Sequence, residues 1–368
     1  MSIPFDTASG PSATSLETAV RCFEIKGTLQ GIQELRRGHI HSTFVSTWRV
    51  PHSGSPERYL HQRMNASVFE DIPALMHNVG LVTRHMADTE HDPNAMEALR
   101  LVRAYDGADY AESGGAPWRT YEFIEGAISY DRPQDAEMAH RAASAFAEFQ
   151  VRLSCLDPAQ LRTTIPDFFN SEVRLRQLDE STAADVCERA ESVAAELDFV
   201  HQRRAHTSVM EAALREGRMP SRVVHGDTKL NNVLFDVAKG HPRCVVDLDT
   251  CMPGYSLYDF GDLVRFTAAT AAEDETELDK VSVDLELFGA LRDGYMEHAA
   301  KFLLPFEVDH MAFAARLVTM TVGMRFLADH IAGDRYFKIS RDGQNLDRAR
   351  VQFRLVEEME RLLPKRNG

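Results

Sequence analysis

The chain is short of positive charge, of paired cysteines and of long apolar runs. Its 368 residues include 41 Lys and Arg against 56 Asp and Glu, a formal charge of −15. Such an acid excess argues against a phosphate-backbone partner, so no nucleic acid is expected. The most apolar stretch, Met311 to Met324, is broken by Arg316 and reads as a helix, and no membrane span is expected. The opening residues MSIPFDTASGPSATSLE have neither a basic n-region nor an apolar h-region, which argues against export and makes the cytoplasm the expected compartment. Five cysteines (Cys22, Cys155, Cys187, Cys244, Cys251) are odd in number and form no C-x-x-C pair, so they read as reduced structural thiols. The 15 histidines show no metal-ligand spacing such as H-E-x-x-H, which speaks against a transition-metal enzyme.

What is present is the composition of a folded globular protein, 44% hydrophobic and 26% charged, long enough for two domains or one two-lobed unit. Residues 1–16, rich in Ser, Thr, Pro and Gly, read as a flexible arm. From there to about residue 123 short strands dominate. Alternation from Phe44 to Val50, the turn-forming PHSGSP and the run Glu57 to Met64 predict a hairpin, and a helix starts near Asp71. Two further strand candidates, EALRLVRAYDG and Trp118 to Ile124, flank a Gly-rich turn at Ser113 to Ala116. After Gly126 helical spacing takes over, with stripes at Met138–Ala142–Phe146–Phe149–Leu153, Val186–Ala190–Val193–Leu197–Val200 and Phe313–Leu317–Met320–Met324–Leu327–Ile331. One β segment interrupts them, RVVHGD, NNVLFD and RCVVDLDT, whose last two runs are joined by the turn VAKGHP. The fold class expected is α+β: an N-lobe over 17–122 with an antiparallel sheet and one helix, and a mainly helical C-lobe over 123–368 carrying the hairpin.

That hairpin holds the chemistry. His225-Gly226-Asp227-Thr228-Lys229-Leu230-Asn231-Asn232 precedes it, and Val246-Asp247-Leu248-Asp249 ends its returning strand. Antiparallel neighbours lie about 5 Å apart, so an acid before the hairpin, an amide at its start and an acid at its far end can converge. Phosphoryl transfer needs such a group: Asp227 to orient an acceptor hydroxyl and take its proton, Asn232 and Asp247 as the hard oxygen ligands Mg²⁺ prefers. A turn-forming Asp is the bland reading of Asp227, but it leaves the His, the Asn and the distal Asp unexplained.

These residues resemble the aminoglycoside phosphotransferase and choline kinase-like superfamily, small-molecule kinases with a protein-kinase-like fold. The stretches GHIHSTF, YLHQRMN, WRTYEFIE, HGDTKLNNVLFD, VVDLDTCMPGYSLYDFGDLVRF and MRFLADHIAGDRYF are similar to N-acetylhexosamine 1-kinases, and the resemblance runs from about Gly27 to Leu363. It implies ATP and Mg²⁺, with Asp227 as catalytic base, His225 bracing its loop, and Asn232 and Asp247 as metal ligands. Asp249 either reaches the metal or stands behind it. Asp259 is implied to brace the loop from the following helix. In the N-lobe the resemblance makes Arg36 to Phe44 the nucleotide-covering loop, with Gly38, Ser42 and Thr43 at the phosphates and His39 facing the sugar. Arg63 takes the place of the phosphate-binding Lys, and Tyr121, Glu122 and Phe123 form the adenine hinge. Phe266, Arg325 and Tyr336 match sugar-facing positions.

The sequence also departs from the pattern. Arg63 has no acid to pair with on the following helix, where Gly80 stands at the expected place, so it is either a phosphate ligand or a surface strand residue. Arg325 interrupts an apolar stripe and is either paired with Asp329 at i+4 or turned into a pocket, the choice the resemblance favours. Phe169 and Asn170 replace a His-Asp pair of the hexosamine branch. The reading is a kinase for a sugar hydroxyl, the anomeric one of an N-acetylhexosamine or related hexose, with an aminoglycoside or amino alcohol as the alternative acceptor and a silent nucleotide-binding module as the rival of another class. Whether the chain is a monomer or homodimer stays open.

Overall fold

The computed structural model describes residues 13–36, 40–51, 54–90 and 95–363. It opens with α1 (Ala13–Val20), followed by β1 (Thr28–Glu34), β2 (Ser42–Arg49), β3 (Glu57–Arg63), α2 (Ile72–Asp88), β4 (Leu101–Val102), β5 (Ala111–Ser113) and β6 (Ala116–Glu122). The strands form one antiparallel sheet in the order β1-β2-β3-β6-β4, with β5 also paired to β6. β2 and β3 are the expected hairpin, with Ser42 opposite Arg63 and Trp48 opposite Glu57. Gly114 and Gly115, at φ +60° and +72°, supply the left-handed pair that the two-residue β5–β6 turn requires. Residues 13–16, expected in the flexible arm, instead make the first turn of α1, whose Ala19 and Val20 are buried behind the sheet.

The two faces of the sheet do different work. Phe44, Trp48 and Trp118 point to one side and pack with Val20, Phe23 and Ile25 in a small core. The other side faces α2 and the rest of the chain. Asp71 caps α2 by accepting the Ala74 N–H at 2.8 Å, and Leu75, Val79, Val82 and Met86 belong to the large core that also holds Phe146, Phe149 and Leu153. α2 is thus docked onto the second lobe. Asn78 secures it there, donating to the carbonyls of Arg162 (2.7 Å) and Cys251 (3.0 Å).

The second lobe runs β7 (Ala127–Ile128), α3 (Ala136–Leu153), α4 (Ser171–Ala184), α5 (Ala194–Gln202), α6 (Val209–Arg215), β8 (Arg222–Val224), β9 (Val233–Asp236), β10 (Pro242–Val245), β11 (Met252–Gly254), α7 (Ser256–Thr267), α8 (Leu285–Ala299), α9 (Pro305–Asp309), α10 (Met311–Ile331) and α11 (Gln344–Leu362). β9 and β10 are the expected hairpin, widened by β7, while β8 pairs with β11, a strand the pattern does not announce. By length and composition α10 could cross a bilayer, yet most of it is buried in the protein, against α4, α7 and α11. The five cysteines are free. The stripe from Val186 to Val200 is not one helix. α4 ends at Ala184, Asp185 turns left-handed at φ +35°, and its carboxylate accepts the N–H groups of Arg189 and Ala190 (2.8 and 3.0 Å), leaving Val186 exposed.

Candidate active site

The loop between β8 and β9 is fixed from three sides. Asp259, fully buried at the start of α7, accepts the backbone N–H of His225 (2.9 Å) and of Gly226 (2.8 Å) and the Gln150 amide (2.5 Å). Burial raises its carboxyl above the ordinary value, and these donors pull against that rise. The Thr228 hydroxyl donates to the Asp259 carbonyl at 2.6 Å. His225 accepts the Asp227 N–H on Nδ1 (3.3 Å), so its Nε2 carries the proton and donates to the Val246 carbonyl (3.0 Å), stitching the loop to the returning strand. Phe146 and Phe149 hold the imidazole edge-to-face. Gly226 is at φ +81°, and a Cβ there would stand 2.8 Å from the Thr250 carbonyl oxygen. Only glycine fits.

The Asp227 carboxylate that this framework presents is partly open to solvent. Lys229 Nζ lies 2.9 Å from its Oδ1, and Asn232 Nδ2 donates to its carbonyl (2.8 Å) and to Oδ2 (3.2 Å). Burial alone would lower the Lys229 ammonium, but the neighbouring Asp227 raises it above its ordinary value. The ammonium also sits 4.9 Å from the Phe266 ring, so Phe266 joins this group. Next to it, Arg265 donates to buried Asp262 through Nε (3.0 Å) and Nη2 (2.9 Å). Lys229, Asp262 and Arg265 receive no role from the motif, although a lysine two residues after the acid is visible in it.

Asn232 spends its amide N–H₂ on Asp227, which leaves its Oδ1 without a partner among the described residues. Asp247 follows β10 in the left-handed region at φ +62°, and its carboxylate likewise has no hydrogen-bond donor or cation among the described residues. Crowding by protein pushes this carboxyl up to about 7, with the Asp249 and Asp227 carboxylates acting in the same direction. Its side chain still reaches water, and the neighbouring carboxylates hold its pKa up. Two uncommitted hard oxygens in a field of surplus negative charge are the donor set that suits Mg²⁺.

Asp249 is occupied elsewhere. Both its oxygens are taken by Arg119, through Nη1 and through Nη2 to Oδ2 at 2.9 Å, and His41 Nε2 donates to Oδ2 at 2.6 Å. Because His41 Nδ1 accepts the Asn65 N–H (3.0 Å), the proton resides on Nε2. Burial alone would raise the Asp249 carboxyl; Arg119 and His41 outweigh it and hold it well below the usual carboxylate range. Asp249 therefore has no oxygen to spare for a metal and stands behind the uncommitted oxygens of Asn232 and Asp247.

Arg119 comes from β6, beside Gln62, whose Oε1 accepts its Nε–H at 2.8 Å. Thr43, Gln62 and Arg119 are cross-strand neighbours and share the sheet face turned to the second lobe. Arg63 pairs with Ser42 and Trp118, one residue out of phase, so both Arg63 and Ser42 lie on the opposite face, which packs on α1. The structure does not bring them to the group around Asp227, and Arg63 meets no carboxylate among the described residues. The acid missing from α2 has the same explanation. Gly80 is covered by the Arg84–Asp109 ion pair (2.8 Å), and the cation of the sheet is Arg119, whose acid comes from the hairpin. A cation inside the otherwise uncharged run APWRTY was the available signal for it.

Tyr121, Glu122 and Phe123 form the edge between the lobes. The N–H groups of Glu122 and Phe123 already donate to the carbonyls of Arg100 (3.0 Å) and Arg58 (3.2 Å), and Tyr121 is buried. Gly38 and His39 lie outside the described residues. On the far side, Arg325 does not pair with Asp329. That carboxylate accepts the N–H groups of Arg335, Tyr336 and Phe337 (2.8, 2.8 and 2.9 Å) and the Asn345 amide (2.9 Å). The segment it orders brings Tyr336 and Phe337 to Arg325, with ring centroids 5.7 and 5.3 Å from the guanidinium carbon.

Residues 46–295, more than half of the chain, match the model of the phosphotransferase enzyme family. Among solved structures, an aminoglycoside phosphotransferase from Alicyclobacillus acidocaldarius superposes with a TM-score of 0.60 at 14% identity, over 94% of this chain and 95% of that one. A choline kinase from Cryptosporidium parvum gives 0.56 at 16% identity, over 90% and 89%. A microcompartment-associated aminopropanol kinase gives 0.55 at 14%, over 95% and 97%. At these identities the likeness is one of fold, the two-lobed α+β architecture described above. The family match spans the sheet from β2, the Asp227 loop, the hairpin and α7, and this chain belongs to the phosphotransferase enzyme family.

Proposed function

We propose that the protein is an ATP-dependent sugar kinase that phosphorylates a hexose hydroxyl, the anomeric hydroxyl of an N-acetylhexosamine or related hexose. The observation that carries the reading is the Asp227 carboxylate, held by Lys229 and Asn232 beside the uncommitted oxygens of Asn232 and Asp247. In this reading the adenine lies between the sheet residues Val45 and Leu60 and the hairpin residues Leu234 and Val246, all half-buried and apolar. Thr43, on the same sheet face, is placed towards the phosphates. The acceptor oxygen attacks the γ-phosphorus in line, the bond to the bridging oxygen of ADP breaks, and the hydroxyl proton passes to Asp227. Asn232 and Asp247 would hold Mg²⁺, which when bound neutralises charge on the phosphoryl oxygens. Lys229 fixes the direction of the Asp227 carboxylate, and Phe266 walls the acceptor side.

The competing acceptors, an aminoglycoside or an amino alcohol, draw support from the names of the fold neighbours. Purified protein with ATP and Mg²⁺ is offered N-acetylglucosamine, N-acetylgalactosamine, glucose, kanamycin and choline, and ADP release is followed with phosphorus NMR of the product. The proposal expects release with a sugar and an anomeric phosphate as product. Release with kanamycin or choline alone would remove the sugar from the account, and phosphate on another hydroxyl would remove the anomeric position.

A further inference from the structure

Two arginines, Arg174 on α4 and Arg325 on α10, have no ion-pair partner among the described residues. The hydroxyls of Ser171 on α4 and Thr321 on α10 are hydrogen-bonded at 2.8 Å, which clamps the two helices together. Arg174 lies one turn on from Ser171 and Arg325 one turn on from Thr321. The Arg325 guanidinium carbon stands among three rings, 5.2 Å from the centroid of Phe168, 5.3 Å from Phe337 and 5.7 Å from Tyr336. Arg174 donates through Nη1 to Gln177 (2.8 Å), while its buried Nε has no hydrogen-bond partner. Neither arginine pairs with a carboxylate among the described residues. Burial lowers the Arg174 guanidinium and the charge of Arg325 lowers it further, while the Asp167 carboxylate, which makes no ion pair with it, pulls the other way without reversing the shift. Phe168, the ring beside Arg325, packs in turn on buried Tyr258 (centroids 6.1 Å apart), which sits on α7 next to the Asp259 that braces the Asp227 loop.

Keeping two partly desolvated cations together with no carboxylate paired to either is costly unless something from outside supplies the negative charge. Half-buried Phe168 and Phe337 shield one side of Arg325, while Tyr336 is 57% exposed, and the partial shielding strengthens an ion pair formed there. An ammonium group in the same place would meet two positive charges, which disfavours a cationic acceptor. We propose that Arg174 and Arg325 receive an acidic group, a carboxylate or a phosphoryl group, borne by the sugar acceptor away from the hydroxyl that is phosphorylated. This inference rests on the sugar-kinase reading of the Asp227 site. It narrows the acceptor from a neutral hexose to an anionic one, because planar guanidinium forks match the oxygens of either anion.

The test compares each neutral sugar (glucose, galactose, N-acetylglucosamine) with its uronic acid and its 6-phosphate, using ADP release by wild type, Arg174→Gln, Arg325→Gln and Arg325→Lys. An acidic member should exceed its neutral parent in kcat/KM by about ten- to a hundredfold, mainly through KM, the size expected of charge-assisted hydrogen bonds. The uronic acid and the phosphate arms tell the two anions apart. In each Gln variant the acid-to-neutral ratio should fall to within about threefold of one, and Arg325→Lys should keep part of it. The inference is overturned if wild type uses neutral sugars as well as both acids, or if the variants change the KM for ATP and leave the ratio intact. ADP release with no acceptor would instead count against the kinase reading. In that event calorimetry of the acids with a non-hydrolysable ATP analogue present still decides: binding that the Gln variants lose supports the anion site, and no binding to wild type overturns it.

Discussion

Replacing Arg119 by Met removes the cation that ties the sheet to the hairpin. Asp249 is 3% exposed and Arg119 1%, so the substitution strands a buried carboxylate with His41 as its remaining donor. Breaking one side of such a pair costs about 3–5 kcal/mol. At about 2.1 cal/mol/K per residue, unfolding of a chain this long carries an entropy of about 0.8 kcal/mol/K, which translates the loss into a fall in Tm of about 4–6 °C. The double variant Arg119→Met/Asp249→Leu should recover at least half of it, since an apolar pair of similar volume often replaces a buried ion pair without net loss. pH gives an independent check. In the wild type the depressed Asp249 carboxyl contributes stability above its unfolded pKa of about 3.9, and that contribution disappears as pH falls through the folded value. Without Arg119 the folded carboxyl rises above its unfolded value, so acidification relieves this one cost, and the variant's deficit relative to the wild type narrows from pH 7 towards pH 4. Thermal and urea unfolding of the two single variants and the double variant measure all of this. A fall in Tm below about 1 °C, or losses that simply add in the double variant, would refute the buried pair as a tie between lobes.

Other predictions follow from the same contacts. Asp259→Ala leaves two backbone N–H groups and the Gln150 amide unpaired in the interior, and at about 1–2 kcal/mol each the variant should lose about 3–6 kcal/mol in urea titration. Gly226→Ala, forced to φ +81° against the Thr250 carbonyl, should cost about 1–3 kcal/mol and slow turnover; a variant as stable and active as the wild type contradicts the loop geometry. His61 is fully buried between the hydroxyls of Ser46 and Thr120, each at 2.7 Å, and burial pushes it down to about 3. Because this is a depressed pKa, its contribution is complete above the ordinary value of about 6.5 and falls by about 1.4 kcal/mol per pH unit below it. His61→Gln should flatten that slope between pH 6 and pH 4, and an unchanged slope would assign the acid sensitivity elsewhere.

The parts of the molecule legible in the sequence are those written locally. The β2–β3 hairpin carries its own alternation and turn residues, α2 its Asp71 cap, and the Asp227 loop its fixed spacing from His225 to Asn232. Asp259 could be placed because it follows the hairpin on a helix whose start the sequence marks. What stayed hidden depends on partners far along the chain. Arg119 and Asp249 are 130 residues apart, and neither alone reveals the other. Arg63 and Arg119 differ only in strand phase, which pairing register decides and composition does not. Arg325 is not paired with Asp329 because the N–H groups of residues 335–337, which no spacing ties to it, occupy that carboxylate. The Val186 stripe failed for a local reason that spacing does not carry, a left-handed Asp185 that ends α4.

The central claim, that Asp227 receives the acceptor proton, is tested most directly by single-turnover transfer of the γ-phosphoryl group from ATP to the preferred sugar in wild type and Asp227→Asn, with ATP affinity measured in parallel. Loss of a positioned general base predicts a rate lower by about 10²–10⁴-fold, with ATP binding changed by less than about threefold, since Asn232, Asp247 and the sheet remain in place. An Asp227→Asn enzyme that transfers phosphate within tenfold of the wild-type rate would contradict the account.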